Sequence, residues 1–189
     1  MKLLACPKCH QQLHLENKTL KCENNHCYDI SKRGYINLLL NPDKATNNPG
    51  DSKESLVARK AYLNKGYYDP ILNQVITCID EFKHQDDLSI LDLGCGEGYY
   101  TQGLKKHFEN SDIYGLDISK IAIDMATRYR KDVTWLVGNS KNIPILDHSL
   151  DFICALFTVV NQDELKRALK EDGYIVHVTA NNQHLIEIK

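Results

Sequence analysis

The stretch CPKCHQQLHLENKTLKCENNHC, from Cys6 to Cys27, holds four of the seven cysteines and three of the eight histidines of a 189-residue chain. Cys6-x2-Cys9 and then Cys22-x3-His26 have the spacing of two short turns, each placing a pair of donors about one tetrahedral edge apart. Three thiolates and one imidazole suit zinc and leave no coordination position open, so the site reads as structural rather than catalytic. Cys27 offers a competing fourth ligand, at Cys22-x4-Cys27. His26 is preferred, with Cys27 packed as a small apolar residue and His10 and His14 on the surface. Some forty residues bury too little apolar area to fold alone, so the metal supplies folding free energy.

A second cluster of chemistry lies in ILDLGCGEGYYT. Asp92-x-Gly94-x-Gly96-x-Gly98 follows an apolar run and opens a helical pattern, the place where ligands of open α/β sheets bind. The third glycine comes one position too early for a dinucleotide fingerprint, and no G-x-x-x-x-G-K-[ST] phosphate loop is present. Such a turn suits a ligand without a pyrophosphate, and S-adenosylmethionine (SAM) is the natural candidate. Glycines let the backbone approach its methionine and ribose, while Asp92 orders the turn and helps hold the ammonium group. Nineteen residues after Gly98, Asp117 closes YGLD, placed to accept hydrogen bonds from both ribose hydroxyls. Asn139 or Ser140, in GNSKNIPI, is positioned for an adenine contact, and His184 falls at the same edge of the predicted sheet. Tyr67 and Tyr68, read from the residues alone, are packing aromatics.

These groups need a scaffold, and the hydrophobic pattern describes one. LSILDLG (88–94), DIYGLD (112–117), VTWLVG (133–138), LDFICALF (150–157) and GYIVHVTA (173–180) read as strands. Helical segments near 98–108, 119–130 and 162–170 separate them, as in a parallel sheet covered by helices on both faces. Upstream, Asp51 with Glu54 forms a capping box for one helix, which Gly66 ends. Asp69-Pro70 supplies the N-cap and first position of another, whose Ile71, Leu72, Val75, Ile76, Ile79 and Phe82 share a face. The fold class is α/β: a doubly wound parallel sheet of five strands with a small N-terminal zinc-ribbon module. Residues 1–40 form the zinc-binding module, 41–51 a polar linker, and 52–189 the SAM domain.

Composition narrows the partners. Residues 1–60 carry ten Lys and Arg against six Asp and Glu, whereas 61–189 carry thirteen against nineteen. A basic front on an acidic body fits a polyanion-binding attachment. Lys2, Lys8, Lys18, Lys21, Lys32 and Arg33 are candidate phosphate contacts. No apolar run approaches a membrane span, and only three residues separate Lys2 from Cys6, too few for a signal peptide's apolar core. The expected location is the cytoplasm, with reduced thiols.

The motifs GYINLL, PGDS, ARKAYL ending at Tyr68, LDLGCGEGYYT and GLDISK follow the cysteine clasp in order, from Cys6 to about Ser149. In this combination the chain resembles the 23S rRNA (guanine-N1)-methyltransferases, zinc-ribbon SAM enzymes that modify an rRNA hairpin near the peptide exit tunnel. The resemblance implies a Rossmann-like class I SAM-methyltransferase sheet, shortened after its fifth strand, and zinc on Cys6, Cys9, Cys22 and His26. It also implies SAM contacts at Tyr68, Gly96, Glu97 and His184, and methyl transfer to N1 of a guanine in a 23S rRNA hairpin loop. The target base must be unpaired or extruded. No residue stands out as a general base for the N1 proton. Phe157-Thr158-Val159-Val160 replaces the family's aromatic-Ala/Ser-Pro segment, and Asn181-Asn182-Gln183 its Pro-Gly-Pro. Two other classes share part of the pattern: a shortened non-catalytic relative that binds SAM or RNA, and a small-molecule SAM methyltransferase. The apolar strand YIVHV, lying at a sheet edge, calls for cover, for which a homodimer is one means.

Overall fold

The computed structural model of the chain describes residues 1–40 and 50–181. The N-terminal module is a three-stranded antiparallel sheet, β1 (His14–Glu16), β2 (Thr19–Lys21) and β3 (Cys27–Asp29), in that order. A two-residue strand, β4 (Ile36–Asn37), follows it. Most of the predicted linker, 41–49, lies outside the described residues.

Helix α1 (Lys53–Leu63) begins one residue later than its capping pattern suggests. Ser52 is the N-cap, its hydroxyl accepting from the Ser55 amide at 3.1 Å. Asp51 is drawn instead to Arg59, 3.6 Å away. Helix α2 (Asp69–Phe82) has Tyr68 at its N-cap, so Asp69 sits in the first turn, where the Tyr99 hydroxyl binds its carboxylate. Then β5 (Ser89–Leu93), α3 (Tyr99–His107), β6 (Asp112–Asp117), α4 (Lys120–Ala126), β7 (Thr134–Val137), β8 (Leu150–Leu156), α5 (Gln162–Ala168) and β9 (Leu169–Val178) alternate as the periodicity predicts. The last strand starts four residues earlier than expected, because Leu169 pairs with Leu150 before a shift in register brings Tyr174 opposite Phe152. No helix among the described residues is long and apolar enough to cross a membrane.

The sheet order is β4-β7-β6-β5-β8-β9, and every pair is parallel. Five strands were expected, and the sixth comes from the front module: Ile36 pairs with Leu136 and Asn37 with Val137. The opposite edge is β9, where Tyr174 and Ile175 are exposed.

Strand residues alternate between two cores. On one face Ile90, Ile113, Trp135, Phe152 and Cys154 pack against Val75 and Ile79 of α2, Leu104 of α3, and Ile123 and Ala126 of α4. On the other, Leu91, Leu93, Tyr114, Leu116, Leu136 and Ile153 meet Leu165 and Ala168 of α5 and, from the module, Leu4, Leu13 and Leu20. Helices were expected on both faces, but the connection from β7 to β8 contains none, and the metal-binding module fills the space a helix would take. Backbone bonds fix it there: Ala5 donates to Pro144 at 3.0 Å and Leu146 to Leu3 at 2.9 Å. Leu4, Leu13 and Leu20 are each at most 3% exposed, and burying a leucine is worth about 1.5–3 kcal/mol. The module is thus part of the sheet's core and not an appendage to it.

Candidate active site and metal centre

Cys6, Cys9, Cys22 and His26 converge, with all four donor atoms within 4.8 Å of one another. The Cys9 and Cys22 sulfurs are 3.6 Å apart, and Nδ1 of His26 lies 3.4–3.5 Å from the three sulfurs. A tetrahedral ion with bonds of about 2.0–2.3 Å requires edges of this length, so the donor set fits zinc. Each turn passes through a residue with left-handed backbone, His10 (φ 58°) and Asn25 (φ 59°), which folds the chain tightly enough to aim both donors inward. Cys27 is exposed, its sulfur 3.4 Å from the Asn25 carbonyl, leaving His26 as the fourth donor. The Gln11 backbone amide, ahead of the His26 contact, lowers the Cys9 thiol to about 6 and favours the ligating thiolate. Tyr28 escaped the sequence reading. Its hydroxyl lies 3.3 Å from the Cys6 sulfur and supports that ligand from the second layer.

At the carboxyl ends of β5, β6 and β7 two adjoining clefts share Gly94, Asp117, Ile118 and Thr158. One is walled further by Arg59, Gly96 and Phe157, the other by Gly138, Asn139 and Ser140. Gly96, at φ 57°, has open space where a side chain would begin, so its bare backbone borders the cleft. Gly98, at φ 87°, starts α3 and lies so near the Trp135 ring that a Cβ would come within 2.6 Å of it. Asp117 ties two loops together: one oxygen accepts from the Gly96 amide at 2.9 Å, the other from the Ser119 amide at 2.7 Å.

The remaining predicted groups stand behind this wall. Asp92 is buried and accepts the Thr101 hydroxyl at 2.5 Å, anchoring the first turn of α3. Burial, with the nearby Asp117 and Glu97 charges adding to it, pushes its carboxyl up to about 7. Glu97 is 2% exposed, and its Oε1 has no hydrogen-bond partner among the described residues. Burial raises its pKa, with Arg59 and Lys60 opposing. Burial likewise raises Asp117, against the two amides it accepts from. Three acids held above their ordinary range favour a cationic guest, which would relieve the cost of ionising them. The sulfonium and ammonium of SAM meet that requirement. Tyr68 is half-buried and sets its ring edge against Phe157, which lines the cleft. His184 lies outside the described residues. Thr101 and Arg59 were not singled out, although both stand within quoted motifs; a hydroxyl one turn into α3 and a cation on α1 have no periodic signature.

Comparison with known proteins agrees with this geometry. Residues 4–45 match the family description "RlmA, N-terminal", a zinc ribbon, and residues 90–173 match "Methyltransferase domain". A 23S rRNA (guanine(748)-N(1))-methyltransferase of Streptomyces fradiae is 29% identical over 100% of this chain and 67% of its own length. The "Putative 23S rRNA (guanine-N(1)-)-methyltransferase YxjB" of Bacillus subtilis (strain 168) is 30% identical, over 99% of this chain and 67% of its own. The chain belongs to this family. It spans about two thirds of the length of both relatives. Among solved structures, a "putative s-adenosyl-l-methionine-dependent methyltransferase" of Methanococcus maripaludis shares the fold. It has a TM-score of 0.57 and 23% identity, covering 76% of this chain and 72% of that one. In the family's terms, the Cys3His cluster is the zinc ribbon, and the clefts at β5 to β7 lie at the strand carboxyl ends, where open α/β sheets bind ligands.

Proposed function

We propose that the chain is a SAM-dependent methyltransferase that modifies N1 of a guanine in a hairpin loop of 23S rRNA. The observation that carries the reading is the match to rRNA (guanine-N1)-methyltransferases across both parts of the chain, ribbon and sheet. Bound SAM supplies an electrophilic methyl on its sulfonium. Gly94 and Gly96 admit the methionine end along bare backbone, and Asp117 accepts from the ribose hydroxyls with the lone pairs its two amide bonds leave over. Asn139 or Ser140 contacts the adenine, and Asp92 holds α3 and the turn in place. Glu97 contributes negative charge close to the cationic ligand, and Tyr68 and His184 complete the cofactor set. The chain's share of the rate lies in aligning the acceptor nitrogen with the methyl.

Residues 1–40 serve as the RNA-recognition module, with zinc setting its shape. Lys2, Lys8, Lys18 and Lys32 are exposed and available to phosphates. Arg33 is committed elsewhere, its Nε 2.7 Å from Asp124. Among the described residues β9 is an edge strand with Tyr174 and Ile175 exposed, a surface on which a second copy of the chain could pair, and the free cysteines suit the cytoplasm. The test is methyl transfer from labelled SAM to unmodified 23S rRNA, with the product nucleoside identified by mass spectrometry. N1-methylguanine is expected. Its absence from folded, zinc-loaded protein would point to a non-catalytic relative.

A further inference from the structure

Four aromatic rings form a continuous row at the mouth of the cofactor cleft. Tyr62 comes from the last turn of α1, Tyr67 and Tyr68 from the turn into α2, and Phe157 from the residue just after β8. Tyr67 and Tyr62 have ring centres 5.1 Å apart, Tyr62 and Tyr68 6.0 Å, and Tyr68 and Phe157 6.0 Å. One end of the row lines the cleft beside Gly94, Gly96 and Asp117, through Phe157. The other end runs out to solvent: Tyr62 is 50% and Tyr67 61% exposed.

Two features separate this row from ordinary surface aromatics. Phe157 has a φ of 57°, a backbone region that bulky residues seldom enter, and it is held there as its N–H donates to the Val178 carbonyl at 2.9 Å. Strain of this kind persists where the surroundings over-determine it, and it clusters at functional sites. Here it keeps the ring at the cleft instead of in the core. Elsewhere an exposed ring finds local cover, as Tyr129 does under the Lys60 ammonium at 3.3 Å. Tyr62 and Tyr67 have mainly each other and Tyr68. Lys65, between them in sequence, is exposed and makes no ion pair among the described residues.

We propose that Tyr62, Tyr67 and Phe157, linked through Tyr68, are a stacking platform for unpaired RNA bases. Phe157 takes the acceptor base and the two outer tyrosines its neighbours, with Lys65 near the intervening phosphate. The proposal rests on the rRNA reading above and deepens it. Every nucleobase presents a π-face, so a row of exposed rings joined to the methyl-transfer cleft holds a single strand without reading its sequence. The platform keeps a looped-out strand open beside the cofactor, while the ribbon grips backbone.

The test measures binding of unmodified 23S rRNA and of S-adenosylhomocysteine to wild type, Tyr67→Ala, Tyr67→Phe and Tyr62→Ala. Stacking of one base predicts roughly 5- to 150-fold weaker RNA binding by each alanine variant. Tyr67→Phe, which keeps the ring, stays near wild type. S-adenosylhomocysteine affinity and melting temperature stay constant in all four. RNA affinity unchanged in both alanine variants would overturn the platform, as would an equal loss in Tyr67→Phe, which would assign the effect to the hydroxyl. A wild-type protein that neither binds nor methylates the rRNA would instead remove the functional reading on which the platform depends.

Discussion

Replacing Asp117 with alanine probes the proposed cofactor site at the carboxylate that joins its two loops. If both ribose hydroxyls donate to this carboxylate, their loss costs about 1–3 kcal/mol, or roughly 5- to 150-fold in Kd. A single affinity would mislead, however. Asp117 also accepts the Gly96 and Ser119 amides at 2.9 and 2.7 Å, so alanine loosens the glycine turn as well as removing the ribose acceptor. A double cycle separates the two. Calorimetry is run with S-adenosylhomocysteine and with its 2′-deoxy analogue, on wild type and Asp117→Ala. Wild type should prefer the hydroxyl-bearing ligand, and the variant should be nearly indifferent, with a coupling of about 1 kcal/mol or more. A coupling inside the roughly 0.3–0.5 kcal/mol scatter of independent sites, in variants with intact circular dichroism, would mean that the ribose is held elsewhere.

Two further outcomes follow from the same structure. Chelating the metal, or Cys9→Ser, should lower the melting temperature of the whole chain in one transition, because the ribbon's leucines complete one face of the sheet; a sheet that melts unchanged by circular dichroism would contradict the shared core. Asp92→Asn should alter the pH dependence of stability. Burial keeps Asp92 protonated up to about 7 in the fold, against about 3.9 unfolded. The folded state therefore binds the extra proton between those values, and stability is lost as pH rises through them. The asparagine variant escapes that loss, so its urea-unfolding free energy should gain on wild type between pH 5 and pH 8, by up to about 3 kcal/mol. A constant difference across that range would show that Asp92 is already ionised at pH 5.

The metal centre was legible because its ligands lie within 21 residues and tetrahedral geometry restricts their spacing. The glycine turn and Asp117 were legible for a related reason, since each closes a strand whose apolar run marks it. The choice between His26 and Cys27 needed the tertiary structure to confirm it, because adjacent residues differ only in the direction their backbone turns them. Local caps came out one residue off: at α1 the Ser52 hydroxyl takes the amide while Asp51 pairs with Arg59, and at α2 Tyr68 caps without a side-chain bond while the Asp69 carboxylate accepts from Tyr99.

Taken alone, the amino-acid sequence determined the chemistry: a closed Cys3His site, an acid-and-glycine turn, and a parallel α/β scaffold. These depend on contacts between near neighbours and on periodicity, both of which are written locally. Only the tertiary structure decided that β4 joins the large sheet, that the ribbon replaces a missing helix, and that four aromatics from three segments meet at the cleft. A two-residue strand has no period, and a leucine's burial does not name the face it will cover. Such contacts join residues far apart in the chain, and their free energy exists only once the whole core has closed.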